Sequence, residues 1–159
     1  MKIVLITIAF SLLICSKPAF AQESTDNTGS GQLLSLYYSI KDALVKGHAE
    51  QAKIKAGEFW TAIGSLPANS LPEKNRAALL KDANAVSKAK DIKQQREHFA
   101  SFSNHMFDLA KVKKLSSSPI YKAYCPMKKS SWLSNEAAIK NPYYGSAMLT
   151  CGEVVETLN

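Results

Sequence analysis

Between Gln32 and Val112 apolar residues return every three or four positions, in four runs separated by short polar breaks. That spacing confines the segment to amphipathic helices packed on one another. The first run spans Gln32 to Lys46, with Leu33, Tyr37, Ile40 and Leu44 on one stripe and Gly47 as a stop. The second, Ala49 to Gly64, places Ala49, Ala52, Ala56, Phe59, Trp60 and Ile63 inward. Its small residues favour close backbone approach, and Phe59 with Trp60 are expected to plug one end. Ser70, Pro72 and Glu73 predict a capped start for a third helix that turns Ala77, Leu80, Ala83 and Val86 inward. Asp91 and Gln94 repeat the capping pattern before a fourth stripe of Ile92, Phe99, Phe102, Met106, Leu109 and Val112. Short connections favour antiparallel neighbours, so the expected fold is mainly all-α, an up-down four-helix bundle.

The flanks are of a different kind. Met1-Lys2, the apolar run from Ile3 to Cys15, and Ala19-Phe20-Ala21 read as a secretory signal peptide over residues 1–21. A lipoprotein site at Cys15 is the weaker reading, because bulky Ile14 precedes the cysteine. The expected address is the periplasm, with no membrane insertion after cleavage. Residues 22–31 (QESTDNTGSG) read as a flexible lead, 32–115 as the bundle, and 116–159 as a C-terminal segment packed on it within one domain. The net charge is +7, carried largely by lysines spread over the helical faces. This describes a solvated surface and not a nucleic-acid stripe.

The helical region holds no glycine-rich phosphate loop and no HExxH, so it reads as scaffold and the chain as no enzyme. Beyond Leu115 the helical period fades. Ile120 to Tyr124 reads as a strand or an extended arm, Asn141 to Gly145 as a turn, and Glu153 to Leu158 as a strand or a helical turn. This tail contains Cys125 and Met127, stiffened by Pro126, and then Met148 and Cys151, three apart. Two thiols and two thioethers gathered together suit a soft ion such as Cu(I). Spacing alone favours the alternative in which the two cysteines form a disulfide, the default pairing in an oxidising compartment; closing a loop of about 27 residues would stabilise by about 3–4 kcal/mol. The two states could also alternate. A thiol oxidoreductase is the weakest reading, since no CxxC pair is present.

His98 and His105 flank the core stripe of the fourth helix, and His48 lies in a turn. His105 or Met106 could add a ligand if the tail docks there, although adjacent helical residues diverge by roughly 100°. Tyr121, Tyr124, Trp132 and Tyr143 are expected to pack the tail onto the bundle, or to shield an ion.

Four blocks of the tail occur in a characteristic order: Tyr124-Cys125-Pro126-Met127, Trp132-Leu133-Ser134, Asn141-Pro142-Tyr143-Tyr144-Gly145 and Met148-Leu149-Thr150-Cys151-Gly152. Together with Tyr37 to Val45 and the spacing of Arg96, Phe99 and Ser103, they resemble a bacterial family of exported domains of unknown function. That family occurs alone or attached to periplasmic adaptor subunits of copper/silver and other heavy-metal efflux pumps. The resemblance implies a periplasmic helical domain that handles copper or related metals, with an efflux adaptor as a possible partner. Cys125, Met127, Met148 and Cys151 match the family's blocks by position. Here only Lys128-Lys129-Ser130-Ser131 separates the first two blocks, a shorter connection than the family usually has.

Overall fold

The computed structural model describes residues 29–159, so the expected leader and most of the lead lie outside the described residues. Four helices form, α1 Gly29–Lys46, α2 Ala49–Ser65, α3 Glu73–Lys88 and α4 Ile92–Val112. Each packs mainly on the next in sequence, and α1 also meets α4. The three glycine-serine residues expected to be lead instead open α1, where Leu66 lies against Gly29 and Gly31 is buried. Tertiary packing here overrides glycine's poor helix propensity.

An aromatic cluster fills the centre. The Tyr37 and Phe99 rings stack at 5.2 Å, Phe102 meets Phe59 edge-on at 4.8 Å, and Tyr37 meets Phe102 at 5.5 Å. All four side chains are fully buried, and each such ring contributes about 1.5–3 kcal/mol by leaving water. The second stripe holds at Ala52, Ala56, Phe59 and Ile63, but Ala49 is only half-buried and Trp60 is half exposed and plugs nothing. Val112 likewise lies outside the core, at the end of α4.

The third stripe holds at Ala83 and Val86 but differs from the expected one at its start. Leu79, Asp82, Ala83 and Val86 are buried, while Ala77 is exposed and Leu80 half-buried. Positions 79, 82, 83 and 86 obey helical spacing, but one of them is an acid. Asp82 turns inward because Ser101 Oγ donates to its Oδ1 at 3.0 Å and His105 Nδ1 meets its Oδ2 at 2.6 Å. The expected Ser70 cap is also absent: Ser70 Oγ donates to Pro67 O instead. Arg76 reaches back from α3 to Ile63 O and Pro67 O, and so satisfies carbonyls at the end of α2 and just beyond it. The fourth cap forms, with Gln94 N–H donating to Asp91 Oδ1 at 2.8 Å and Gln94 Oε1 accepting from Lys90 N–H.

The tail is more regular than a docked irregular segment. Strands β1 Ile120–Cys125, β2 Ser130–Ser134 and β3 Glu153–Leu158 form an antiparallel sheet in the order β2-β1-β3. Lys122 reaches across to the Phe107 ring of α4, 3.7 Å from its centroid. By alternation, Ala123, Cys125 and Trp132 occupy the opposite face.

The two edges of the sheet differ. On the β2 edge, Leu133 N–H donates to Tyr37 Oη at 3.0 Å and Ser131 O accepts from Tyr143 Oη at 2.5 Å. Tyr37 Oη also bonds Ser103 Oγ at 2.7 Å, so one phenol joins α1, α4 and the sheet. Lys41, itself buried, adds a long contact of 3.5 Å to Ser134 Oγ and pairs with Asp42 at 2.9 Å. The β3 edge carries exposed Val154 and Val155, and the register with β1 slips by one residue at Val155.

Candidate thiol site

Cys125 ends β1 and is fully buried; Cys151 precedes β3 and is half-buried. The strand pairing of β1 with β3 brings them together, and their Sγ atoms are 3.7 Å apart. Between them in sequence, Asn141 organises the returning chain. Its Oδ1 accepts from Tyr143 N–H at 2.8 Å and Tyr144 N–H at 3.3 Å, and its Nδ2 donates to Cys151 O at 2.7 Å. Its backbone N–H donates to Leu149 O, and Gly145 N–H donates to its carbonyl. The sequence marks Asn141 only as a turn residue. Its complete burial is the missing part, since a neighbouring proline signals a turn whether or not that turn is buried.

Gly145 and Gly152 permit this path. Gly145 has φ +57°, and a Cβ there would stand 2.9 Å from Val45 O and 2.5 Å from Arg96 Nη2. Gly152 has φ +145°, and its Cβ would meet Tyr124 O at 2.8 Å and the Trp132 ring at 2.9 Å. Trp132 therefore lies against the backbone next to Cys151. It meets Tyr143 edge-on at 6.0 Å, and Tyr143 in turn faces Phe99 at 6.1 Å. Of the four aromatics expected to pack the tail, these two are buried, while Tyr121 and Tyr124 are half-buried.

The two thiols are electrostatically unlike. Burial alone would push the Cys125 thiol up, but the N–H of Lys128, the Asn141 amide, Cys151 and the N–H of Met127 together hold it below the ordinary thiol range. Cys151 is pushed up, first by burial, then by its hydrogen bond to Cys125 and by the negative charge there. Of the two, Cys125 is therefore the one that gives up its proton first, with Cys151 as a donor to the resulting thiolate.

The separation of 3.7 Å is far beyond a covalent disulfide of about 2.05 Å. It is the contact distance of two reduced thiols sharing a hydrogen bond, and it is also close to the roughly 3.75 Å that separates two sulfurs bound at about 2.3 Å to one ion at a tetrahedral angle. Among the described residues no three of His, Cys, Asp and Glu cluster as a metal site. Met127 has its N–H directed at the two sulfurs, and Cys151 N–H donates to Met148 O at 3.1 Å. Both methionine side chains are exposed, Met127 by 63% and Met148 by 36%, so neither serves as core filling.

The remaining candidates are engaged elsewhere. His105 is held by Asp82 of α3, and Met106 is fully buried in the helical core. His48 is exposed in its turn.

One family model, described as a protein of unknown function (DUF3347), matches residues 33–118. No curated protein matches the chain, and no solved structure does. The matched stretch takes in all of α2, α3 and α4 and nearly all of α1, and stops short of both tail cysteines. It covers more than half of the sequence, and the chain belongs to the DUF3347 family.

Proposed function

We propose that this protein is a non-enzymatic, periplasmic binder of a soft metal ion, Cu(I) in the first place, that serves heavy-metal efflux or resistance. The observation that carries the reading is the approach of Cys125 and Cys151 to 3.7 Å from positions 26 residues apart. Exposed Met127 and Met148, close in sequence to Cys125 and Cys151, support it, since a thioether can complete a coordination sphere begun by thiols. On this reading the helices, an up-and-down bundle, are scaffold, and cargo passes to a partner such as an efflux adaptor.

Each group in the site has a task that follows from its placement. Asn141 and the N–H groups of Met127 and Lys128 favour negative charge on Cys125, which eases the loss of its proton to an arriving ion. Trp132 covers the inner side, while the methionine side chains face solvent, where a thiophilic ion would enter. The ion, as cargo, requires no chemistry beyond ligand exchange.

Reduced protein, titrated with Cu(I) against a chromogenic chelator, should take up one equivalent. Cys125→Ser or Cys151→Ser should abolish that uptake, while Met127→Leu and Met148→Leu weaken it. The rival reading is a disulfide-stapled accessory module without metal. It would be favoured if freshly isolated protein showed no free thiol and if reduction lowered the melting temperature without creating a Cu(I) site. That result would overturn the metal reading.

A further inference from the structure

The two thiols differ in access as well as in acidity. Cys125 is fully buried, while Cys151 is half-buried and lies between the exposed stretches Ser146 to Thr150 and Glu153 to Thr157. A reagent from solution therefore meets Cys151 first, and the sulfur of Cys125 lies 3.7 Å behind it. Thiol–disulfide exchange needs this pairing of one accessible sulfur to take up a mixed disulfide and a second in contact to resolve it.

Two features set the pair apart from a permanent staple. The surrounding chain keeps its path without a covalent bond: Asn141 N–H donates to Leu149 O at 2.8 Å, Asn141 Nδ2 to Cys151 O at 2.7 Å and Cys151 N–H to Met148 O at 3.1 Å. Strand β3 is also paired with β1 from Ile120 to Tyr124. Secondly, the donors around Cys125 act on a thiolate far more than on a neutral disulfide sulfur. Groups that stabilise the thiolate released on reduction make a disulfide easier to reduce.

We propose that Cys125 and Cys151 form a reversible dithiol–disulfide switch, oxidised by an exchangeable disulfide from outside, with Cys151 as the entry thiol and Cys125 as the resolving one. Cys151 attacks the external disulfide, forms a mixed disulfide and expels one reagent thiol, which carries away the proton that Cys151 gives up. Cys125, on losing its own proton, then attacks Cys151 Sγ. The Cys125–Cys151 bond forms, the mixed disulfide breaks, and the second reagent thiol departs with that proton. Two electrons pass from the pair to the reagent. Closure brings the sulfurs from 3.7 Å to about 2.05 Å. Oxidation would also discharge a bound ion, because both thiols leave its ligand set together; that consequence rests on the metal reading, whereas the exchange itself does not.

The test treats the intact, reduced protein with glutathione disulfide, quenches in acid, alkylates the free thiols and reads the products by mass spectrometry. Early samples of the unmodified protein should carry glutathione on Cys151, located by peptide mapping, and late ones the internal disulfide. In mixtures of reduced and oxidised glutathione the pair should titrate as one two-electron unit, and excess reduced glutathione should restore both thiols. Cys125→Ser should stall the reaction at the Cys151 adduct, and Cys151→Ser should slow adduct formation by at least about tenfold. An internal disulfide that resists a large excess of reduced glutathione, an early adduct on Cys125, or no oxidation at all would each overturn the proposal. Cu(I) uptake by the reduced protein separates the two readings. Exchange without uptake would leave the switch standing and end the metal reading, and uptake by a pair that resists oxidation would end the switch alone.

Discussion

Residues 29–112 hold together by burying rings and aliphatic side chains against one another. Residues 120–158 bury Trp132, Leu133 and Tyr143, but the outer strand β3 is almost wholly exposed. What positions the sheet is a small set of directed polar contacts from Tyr37, Asn141 and Tyr143. The helical half thus relies on area, which is forgiving of detail, and the sheet half on particular atoms. The sheet leans on the helices, and the two halves share one buried cluster in which Tyr143 faces Phe99. A region held by a few hydrogen bonds is well suited to carrying reactive groups, because its shape can be adjusted without disturbing the main core.

The largest effect should come from the helical side. Phe102→Ala removes a ring that touches Tyr37, Phe59 and Phe99, and should cost about 3–5 kcal/mol in denaturant unfolding, with helix and sheet signals lost together. If the sheet signal survived the loss of helicity, the dependence would run the other way. Tyr37→Phe is a smaller and more selective change. It keeps the stack on Phe99 but leaves Leu133 N–H and Ser103 Oγ without that partner, at a cost of about 1–3 kcal/mol. Near-ultraviolet dichroism of Trp132 should report loosening of the sheet while far-ultraviolet helicity stays intact; equal losses of both would show that the halves are not separable in this way.

The smallest energetic effect, and the most local, concerns the thiols. Thiolate absorbance followed against pH should rise in two steps, one below the ordinary thiol range for Cys125 and one above it for Cys151. The sign follows from the partners: Cys151→Ala removes one donor to Cys125, so the remaining thiol should titrate at higher pH than the first step of the pair. A single step at the ordinary value would mean that the surrounding donors do not act on the sulfur.

Much of the helical half is legible from spacing because it is built from area. Leu33, Tyr37, Ile40 and Leu44, or Phe99, Phe102 and Met106, announce their face by period alone. Spacing misleads where a polar residue takes an inward position, as with Asp82 in α3, or where a neighbour rescues a weak helix former, as Leu66 does for Gly29. The sheet half is legible only in pieces. Strand β2, Ser-Ser-Trp-Leu-Ser, is too polar to look like a strand, since its stability comes from two tyrosine hydroxyls outside the strand itself. Spacing names the two cysteines and two methionines, but the convergence of the thiols depends on the pairing of β1 with β3. Asn141 carries no such signal in its local context, because its importance lies in how many backbone groups meet it at once.

The junction at Tyr37 Oη makes the seat of the sheet a composite one. The groups that meet there belong to α1, α4 and β2. Any change that parts the first helix from the last therefore also takes away the phenol's place beneath the strand that carries Trp132.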